Sequence, residues 1–187
     1  VINGRVSNVL DYRYYGINFY FNSKKYVLKS DEGYQIYDIN ANSFSNFITD
    51  KIEDIVGSGT NTFYTTKTVN NDGVFYTLYN ANTLESVLEG TASYIELHNG
   101  FIAYVRDNKL YLSDFSGNNL LDREIPLYFN NYNGSGVKAF TVEILGNQLR
   151  IATPKTNETT HYTTEYYFDS VTYSFIRTRE NVKETVE

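Results

Sequence analysis

The 187-residue sequence contains no cysteine, no methionine and no tryptophan. Without cysteine the chain cannot form disulfide bonds, use a thiol in catalysis, or hold zinc or an iron–sulfur cluster through cysteine ligands. Only two prolines occur, Pro126 and Pro154, so long stretches remain free to pair in β-sheets. No apolar run approaches the roughly 18 residues that a membrane-spanning helix needs, and we therefore expect no membrane span in this chain.

Basic residues are also scarce relative to acidic ones. The chain has 16 lysines and arginines against 22 aspartates and glutamates, which gives a formal net charge of −6. Nucleic-acid-binding proteins usually present a clustered basic surface. The only adjacent basic pair, Lys24-Lys25, lies in an expected turn. We therefore predict that nucleic acid is not a partner.

Aromatic residues are abundant, with 19 tyrosines and 12 phenylalanines. Both residue types favour the pleated, half-buried surface of a β-sheet. Hydrophobic residues make up 41% of the chain, which is enough for a substantial core in a protein of this length. The composition therefore predicts a folded, all-β protein.

A short turn phrase occurs twice, as Asn40-Ala41-Asn42-Ser43 and Asn80-Ala81-Asn82-Thr83. A looser form, in which Asp or Asn (Asx) is followed three residues later by Ser, Thr or Gly, returns at Asp114 and at Asp169. Each follows a run of tyrosine, phenylalanine or β-branched residues. A hairpin turn that recurs at about the length of one four-stranded sheet indicates a repeat architecture.

We predict about four repeated units, each a four-stranded antiparallel meander. The units cover approximately residues 10–50, 51–90, 91–126 and 137–179, and form a single domain over residues 1–179 with a polar tail over 180–187. The clearest unit has predicted strands at 93–97, 101–106, 109–113 and 120–125, joined by two- to four-residue turns. Residues 45–56 and 83–90 also carry helical spacing, so helices remain an alternative there, although their tyrosine-rich flanks favour strands.

The third unit carries a family resemblance. Its segment Asn108-Lys109-Leu110-Tyr111-Leu112-Ser113-Asp114 resembles the Tyr-Trp-Thr-Asp blade of low-density-lipoprotein-receptor-type β-propellers, without the tryptophan. The segment Asn99-Gly100-Phe101-Ile102-Ala103-Tyr104 is similar to the Asn-Gly-x-Ile-x-Tyr phrase of bacterial secreted propellers. The resemblance implies a small β-propeller or a fragment of a larger one. A two-sheet β-sandwich is the structural alternative.

The residues that could carry chemistry do not form a recognisable catalytic or metal-binding pattern. His98 and His161 lack the spacing of a histidine metal site, and the acidic turns do not match a calcium-binding loop. We therefore predict no catalytic residue, no metal and no cofactor. A glycoside hydrolase would need two carboxylates facing across a cleft. The candidates for that role are Asp11, Asp54, Glu96, Asp122, Glu143 and Glu165.

A cluster of aromatic and amide residues is the strongest candidate for ligand binding. Tyr128, Phe129, Asn131 and Tyr132 lie in a long connection between units, where binding loops often occur. Exposed tyrosines beside asparagines can stack on a sugar ring or anchor a protein partner, although alternate tyrosines can also pack between sheets.

These observations favour a non-enzymatic binding or scaffold module, extracellular or exposed on a bacterial cell surface, with a protein or a carbohydrate as its ligand. A cysteine-free chain is also compatible with the cytoplasm, so the compartment stays open. The alternative is a carbohydrate-active enzyme, a glycoside-hydrolase-like propeller that uses loop carboxylates. A purely structural role in a larger surface protein is a third possibility.

Overall fold

The computed structural model describes residues 13–20, 23–128, 139–156 and 160–184. The regular secondary structure in these ranges consists entirely of β-strands, which form four separate antiparallel sheets. The chain divides into two compact units, Val1–Glu89 and Gly90–Glu187, and each contains two of the sheets. Among the described residues no helix has the length and hydropathy of a membrane span.

The first unit contains the first and second sheets. The first sheet has the order β1-β2-β3-β4, with strands β1 (Gly16–Tyr20), β2 (Lys25–Ser30), β3 (Gly33–Asp38) and β4 (Ser43–Phe44). The second sheet has the order β5-β6-β7, with strands β5 (Ile52–Ser58), β6 (Asn61–Asn70) and β7 (Gly73–Asn80). Buried residues of both sheets and their connections meet in one core: Val27, Ile36, Ile48, Ile52, Ile55, Tyr64 and Ala81.

The second unit contains the third and fourth sheets. The third sheet consists of β8 (Tyr94–Leu97), β9 (Ile102–Arg106), β10 (Lys109–Ser113) and β11 (Ile125–Pro126), paired in chain order. The fourth consists of β12 (Thr141–Leu145), β13 (Gln148–Thr156), β14 (Thr160–Asp169) and β15 (Phe175–Glu184), also in chain order. The side chains of Phe101, Leu112, Phe140, Leu149 and Phe168 are all fully buried in its core.

The predicted fold class is confirmed. The chain is all-β, and its four antiparallel sheets of three or four sequentially paired strands have the form of propeller blades rather than of one two-sheet sandwich. Neither segment with helical spacing forms a helix, because residues 52–58 pair as β5 and Ser86 makes a β-bridge to Tyr79. The expectation of one domain over residues 1–179 stays a prediction.

The fourth strand of the second and third units is shorter than the sequence predicts. The strand favoured within residues 83–90 is reduced to the single bridge between Tyr79 and Ser86, because Leu84 has a left-handed backbone (φ 64°) that interrupts an extended chain. The predicted strand at residues 120–125 is reduced to the two residues of β11.

The polar segment after Glu180, by contrast, contains more β-strand than predicted. We predicted a tail from residue 180, yet β15 continues to Glu184 and pairs with the start of β14. Backbone hydrogen bonds do not depend on side-chain polarity, so an edge strand can consist of charged residues.

The recurring turn is the clearest link between the sequence and the fold. At the end of the third strand of each sheet, an Asx side chain accepts hydrogen bonds from backbone N–H groups of the following turn, as Asx turns do. Asp38 Oδ1, for example, accepts from the N–H of Asn40 at 2.8 Å and of Ala41 at 3.0 Å. The equivalent acceptors in the other three sheets are Asn80, Asp114 and Asp169.

These turns show that the two Asn-Ala-Asn phrases are not structurally equivalent. Asn80 corresponds to Asp38, and not to Asn40, because Asn80 and Asp38 are the residues that accept the turn hydrogen bonds. A left-handed residue follows four positions later in both turns, at Asn42 (φ 50°) and Leu84 (φ 64°). The structural repeat between the first two sheets is therefore two residues longer than the spacing of the phrases.

Candidate ligand-binding site

A buried lysine lies at the edge of the core of the first unit. Lys25 is the first residue of β2, and its side chain is 3% exposed. Its cross-strand partner is Asp38, the last residue of β3, and Lys25 Nζ lies 2.5 Å from Asp38 Oδ2. Nζ also donates a hydrogen bond to Asn82 Oδ1 at 3.3 Å. A buried ammonium group is tolerated only when it is paired and hydrogen-bonded, and these two side chains supply its partners.

Asp38 combines two roles, one for each carboxylate oxygen. Oδ2 pairs with Lys25, while Oδ1 accepts the two N–H groups of the turn. Burial alone would raise the pKa of Asp38, but the hydrogen bond from Lys25 and those from the backbone of Ala41 and Asn40 outweigh it and lower the pKa below its ordinary value. The carboxylate is therefore ionised at neutral pH, and its charge balances that of Lys25.

A cavity of about 260 Å³ opens beside this ion pair. It lies within the first unit, between the turn that follows β3 and the turn that follows β7. Its lining residues are Lys25, Ile36, Asp38, Ala41, Ser43, Phe44, Ser45, Ala81 and Asn82. Drug-sized ligands usually occupy pockets of about 300–1,000 Å³, so this cavity suits a smaller molecule.

The cavity lining is polar but has no excess charge. The charges of Lys25 and Asp38 cancel, and Asn82 offers both an amide donor and a carbonyl acceptor. The hydroxyl of Ser45 is held in place, since it accepts the N–H of Ile36 at 2.9 Å and donates to a backbone carbonyl at 2.7 Å. The lining can therefore exchange hydrogen bonds with a neutral ligand that carries several hydroxyl groups.

Phe44 is also a lining residue, but the strand register turns its ring to the opposite face of the sheet from Lys25 and Asp38, where neighbouring rings hold it in place. One aromatic residue from each strand of the first sheet forms a row, in the order Phe19, Tyr26, Tyr37 and Phe44. Successive ring centroids are 4.7, 6.3 and 4.8 Å apart, and Tyr14 stacks on Phe44 at 6.3 Å. Phe44 nevertheless remains 42% exposed, on the face of the sheet opposite to Lys25 and Asp38.

Of the aromatic cluster that the sequence suggested, Tyr128 is the member that the structure describes, and it belongs to the second unit. Tyr128 is 44% exposed, and Lys155 Nζ lies 4.9 Å from the centroid of its ring. Phe129, Asn131 and Tyr132 lie outside the described residues. A binding site at this cluster stays a prediction.

Two of the carboxylates considered for glycosidase chemistry meet at one arginine in the fourth sheet. Arg150 Nη1 donates to Glu143 Oε2 at 2.7 Å, and Arg150 Nε donates to Glu165 Oε1 at 2.8 Å. The hydroxyl of Tyr167 donates to the other oxygen of Glu165 at 3.0 Å. Asp11 lies outside the described residues. Both carboxylates at Arg150 are thus held in ion pairs.

The environment of Glu165 determines its ionisation. Burial alone would raise the pKa of Glu165, but hydrogen bonds from Arg150, Tyr167 and Asn181 outweigh it and lower the pKa below its ordinary value. A general acid in glycoside hydrolysis needs a raised pKa, so that it carries a proton near neutral pH. Glu165 has the opposite shift and serves as the anionic partner of Arg150.

We expect the Glu165→Gln variant to lose less stability in acid than the wild type. The pKa of Glu165 in the folded state lies below its unfolded value of about 4.5. Its contribution to the free energy of unfolding is therefore complete above that value and is lost as the pH falls through the folded pKa. Urea unfolding at about pH 7, 5, 4 and 3 measures this loss.

The control for this experiment is Glu124→Gln. Glu124 pairs with Lys109 on the surface and is 67% exposed, and such pairs contribute little because solvent screens them. This variant should follow the wild-type pH dependence. Identical acid slopes for the wild type and Glu165→Gln would contradict the role assigned to the Glu165–Arg150 pair.

Comparisons with known proteins give no family assignment. No protein-family model matches the chain, and no curated protein matches it in sequence. One similar solved structure is that of dihydro-heme d1 dehydrogenase NirN in complex with DHE. The match covers 90% of this chain and 38% of that chain, with 9% sequence identity and a TM-score of 0.43. At this level the likeness carries no conclusion about chemistry.

Proposed function

We propose that this chain is a non-enzymatic binding module, and that the cavity beside Lys25 and Asp38 takes one ring of a neutral carbohydrate. The observation that carries the proposal is the combination of charge-balanced, hydrogen-bonding side chains in a small polar cavity. Sugar hydroxyls exchange hydrogen bonds with amide, hydroxyl and carboxylate groups. Asn82 supplies the amide, Ser45 the hydroxyl and Asp38 the carboxylate.

Several features favour binding over glycoside hydrolysis. Hydrolysis requires two carboxylates, separated by roughly 5–9.5 Å, of which one carries a proton. Asp38 is the only carboxylate among the described residues that line the cavity, and Lys25 holds it ionised. A carbohydrate-active enzyme would need a second carboxylate from another part of the protein.

The proposal also covers the location of the protein. A carbohydrate-binding module built from propeller-type blades, with an acidic composition, suits the exterior of a bacterial cell, where glycans are exposed. The blades would close into a small ring or form part of a larger one, and a closed arrangement would protect their edges. The aromatic cluster at Tyr128 would be a separate contact surface, for a glycan or for a protein.

Isothermal titration calorimetry with glucose, galactose, mannose, N-acetylglucosamine and their β-linked disaccharides tests the proposal. We expect at least one of these sugars to bind, and the Asn82→Ala variant to bind it about 3–10-fold more weakly, because a neutral hydrogen bond contributes roughly 0.5–1.5 kcal/mol. Asn82 lies in an exposed turn but also accepts a hydrogen bond from the buried Lys25, which keeps its ion pair with Asp38 in the variant, so circular dichroism and urea unfolding verify that the fold is intact.

The matched control is Asn40→Ala. Asn40 holds the position in the first turn that Asn82 holds in the second, but it does not line the cavity. It should bind the sugar as the wild type does. Absence of binding by the wild type across the panel, or equal affinity in the wild type and Asn82→Ala, would overturn the proposal.

A further inference from the structure

The second sheet has one strand fewer than the other three sheets. β7 pairs with β6 along its whole length, whereas its other side meets Ser86 through one bridge at Tyr79. Among the described residues, no other backbone pairs with that side over residues 73–77. Within the part of the chain that the structure describes, the second sheet therefore ends in an open edge at the position where the first, third and fourth sheets have a fourth strand.

The backbone groups that point toward this open side can be identified. The C=O of Leu78 accepts the N–H of Val87, and the N–H of Asn80 donates to the C=O of Glu85, both at 2.9 Å and both away from β6. The direction of these groups alternates along an antiparallel strand with a period of two residues. The N–H and C=O groups of Tyr76 and Val74 consequently point to the same open side.

The side chains of β7 do nothing to protect this edge. Its sequence, GVFYTLYN, contains no charged residue and no proline, and it is rich in aromatic and β-branched residues. Natural edge strands usually carry lysine, proline or a bulge that discourages pairing with another chain. By contrast, the edge strand β12 contains Glu143, and β15 carries several charges.

The open edge also projects beyond the rest of the sheet. β5 pairs with β6 only as far as Thr66, so residues 67–70 and 73–76 form a two-stranded ribbon. Val69 and Val74 face each other on this ribbon and are 67% and 39% exposed. A two-stranded ribbon is marginally stable in water, and an additional strand would stabilise it.

We propose that the open edge of β7 pairs antiparallel with β7 of a second copy of this chain. The pairing is centred on Phe75, so that each Phe75 faces its counterpart, and Val74 of one copy exchanges hydrogen bonds with Tyr76 of the other. This register leaves Leu78 out, because its C=O is already bonded to Val87. The result is a continuous six-stranded sheet with two-fold symmetry.

A second copy fits this edge for a specific reason. An uncharged strand paired with itself places no like charges opposite each other, and the aromatic pair at its centre contributes favourable contact. The interface involves only a few residues of each copy, so the association is weak and depends on concentration.

Sedimentation velocity over a range from about 10 μM to about 1 mM tests the proposal. The wild type should shift from monomer toward dimer as its concentration rises. Phe75→Lys should remain monomeric, because it places two positive charges at the two-fold axis. An equimolar mixture of Phe75→Lys and Phe75→Glu should associate again, because the charges at the axis are then opposite.

Thr68→Lys is the matched control for Phe75→Lys, because Thr68 is the cross-strand partner of Phe75 on β6, and Val69→Lys is the matched control for Val74→Lys for the same reason. Both controls should dimerise as the wild type does. Val74→Lys, which should remain monomeric, replaces Phe75→Lys if that variant fails to fold by circular dichroism. The proposal is overturned if the wild type stays monomeric over the whole concentration range. It is also overturned if Val69→Lys disrupts the dimer and Val74→Lys leaves it intact. Capture of only a different protein's strand by this edge would also overturn it.

Discussion

Replacing Leu149 with alanine is expected to lower the free energy of unfolding by about 2–5 kcal/mol. Leu149 lies in β13, and none of its side chain is exposed. Its cross-strand neighbours are Ile144 and Phe168, and it belongs to the core of the second unit. The substitution removes buried methyl groups and leaves a cavity that the surrounding rings fill only in part, so both terms destabilise the fold.

Leu145→Ala provides the matched control, because it is the same substitution in the same sheet. Leu145 ends β12 and is 52% exposed, so its replacement should change the free energy of unfolding by about 0.5 kcal/mol or less. Urea unfolding monitored by circular dichroism measures both variants. Equal losses of unfolding free energy in the two variants would contradict the burial of Leu149 in a packed core.

The Asp38→Asn variant is expected to be less stable than the wild type by roughly 3 kcal/mol. The amide keeps an oxygen that can accept the N–H groups of the turn, as Asn80 does in the second sheet. It removes the negative charge beside Lys25, whose ammonium group is buried. The loss thus reports mainly the cost of an unpaired buried charge, and partial exposure of Asp38 keeps it at the lower end of the range for such pairs.

Two further variants separate the ion pair from the turn. Asp169→Asn makes the same change in the equivalent turn of the fourth sheet, where the carboxylate accepts only local hydrogen bonds, and it should behave much like the wild type. Adding Lys25→Met to Asp38→Asn should restore part of the lost stability, because no buried charge then remains. Thermal or urea unfolding of the set measures this. If the double variant is less stable than Asp38→Asn alone, the ion-pair explanation is wrong.

The architecture could be predicted from the sequence because its determinants are local. Alternating apolar residues set the strands, and Asx residues set the turns, so Asp114 and Asp169 could be recognised as turn positions without any knowledge of the fold. Which residues are equivalent in the first two sheets was harder to predict from the sequence. Asn40 and Asn80 share a phrase, but hydrogen bonding in the turn makes Asp38 the partner position of Asn80.

The remaining features depend on contacts between distant parts of the chain. Leu84 adopts a left-handed conformation that glycine usually provides, so nothing in its own identity marks the end of an extended segment. Glu143 and Glu165 meet only through the strand register that places Arg150 between them. Composition and spacing do not encode such pairings.

The cavity was not predicted from the sequence, because it too depends on contacts between distant parts of the chain. Lys24-Lys25 was expected to lie in a turn, whereas Lys25 already belongs to β2 and points to the same side as the buried Val27. Alternation with Val27 is the signal that could have identified it, because a lysine in phase with buried residues needs an acidic partner. Asp38 is that partner, and β-sheet register brings the two together.

The proposed carbohydrate site can be tested most directly by following the backbone amide NMR signals of the protein during titration with the sugar that binds best in calorimetry. We expect concentration-dependent shifts at Ser43, Phe44, Ser45 and Asn82, which surround the cavity, and little change at Tyr128. Shifts that cluster at Tyr128 and leave the cavity residues unchanged, or no shifts at all, would contradict the cavity as the binding site.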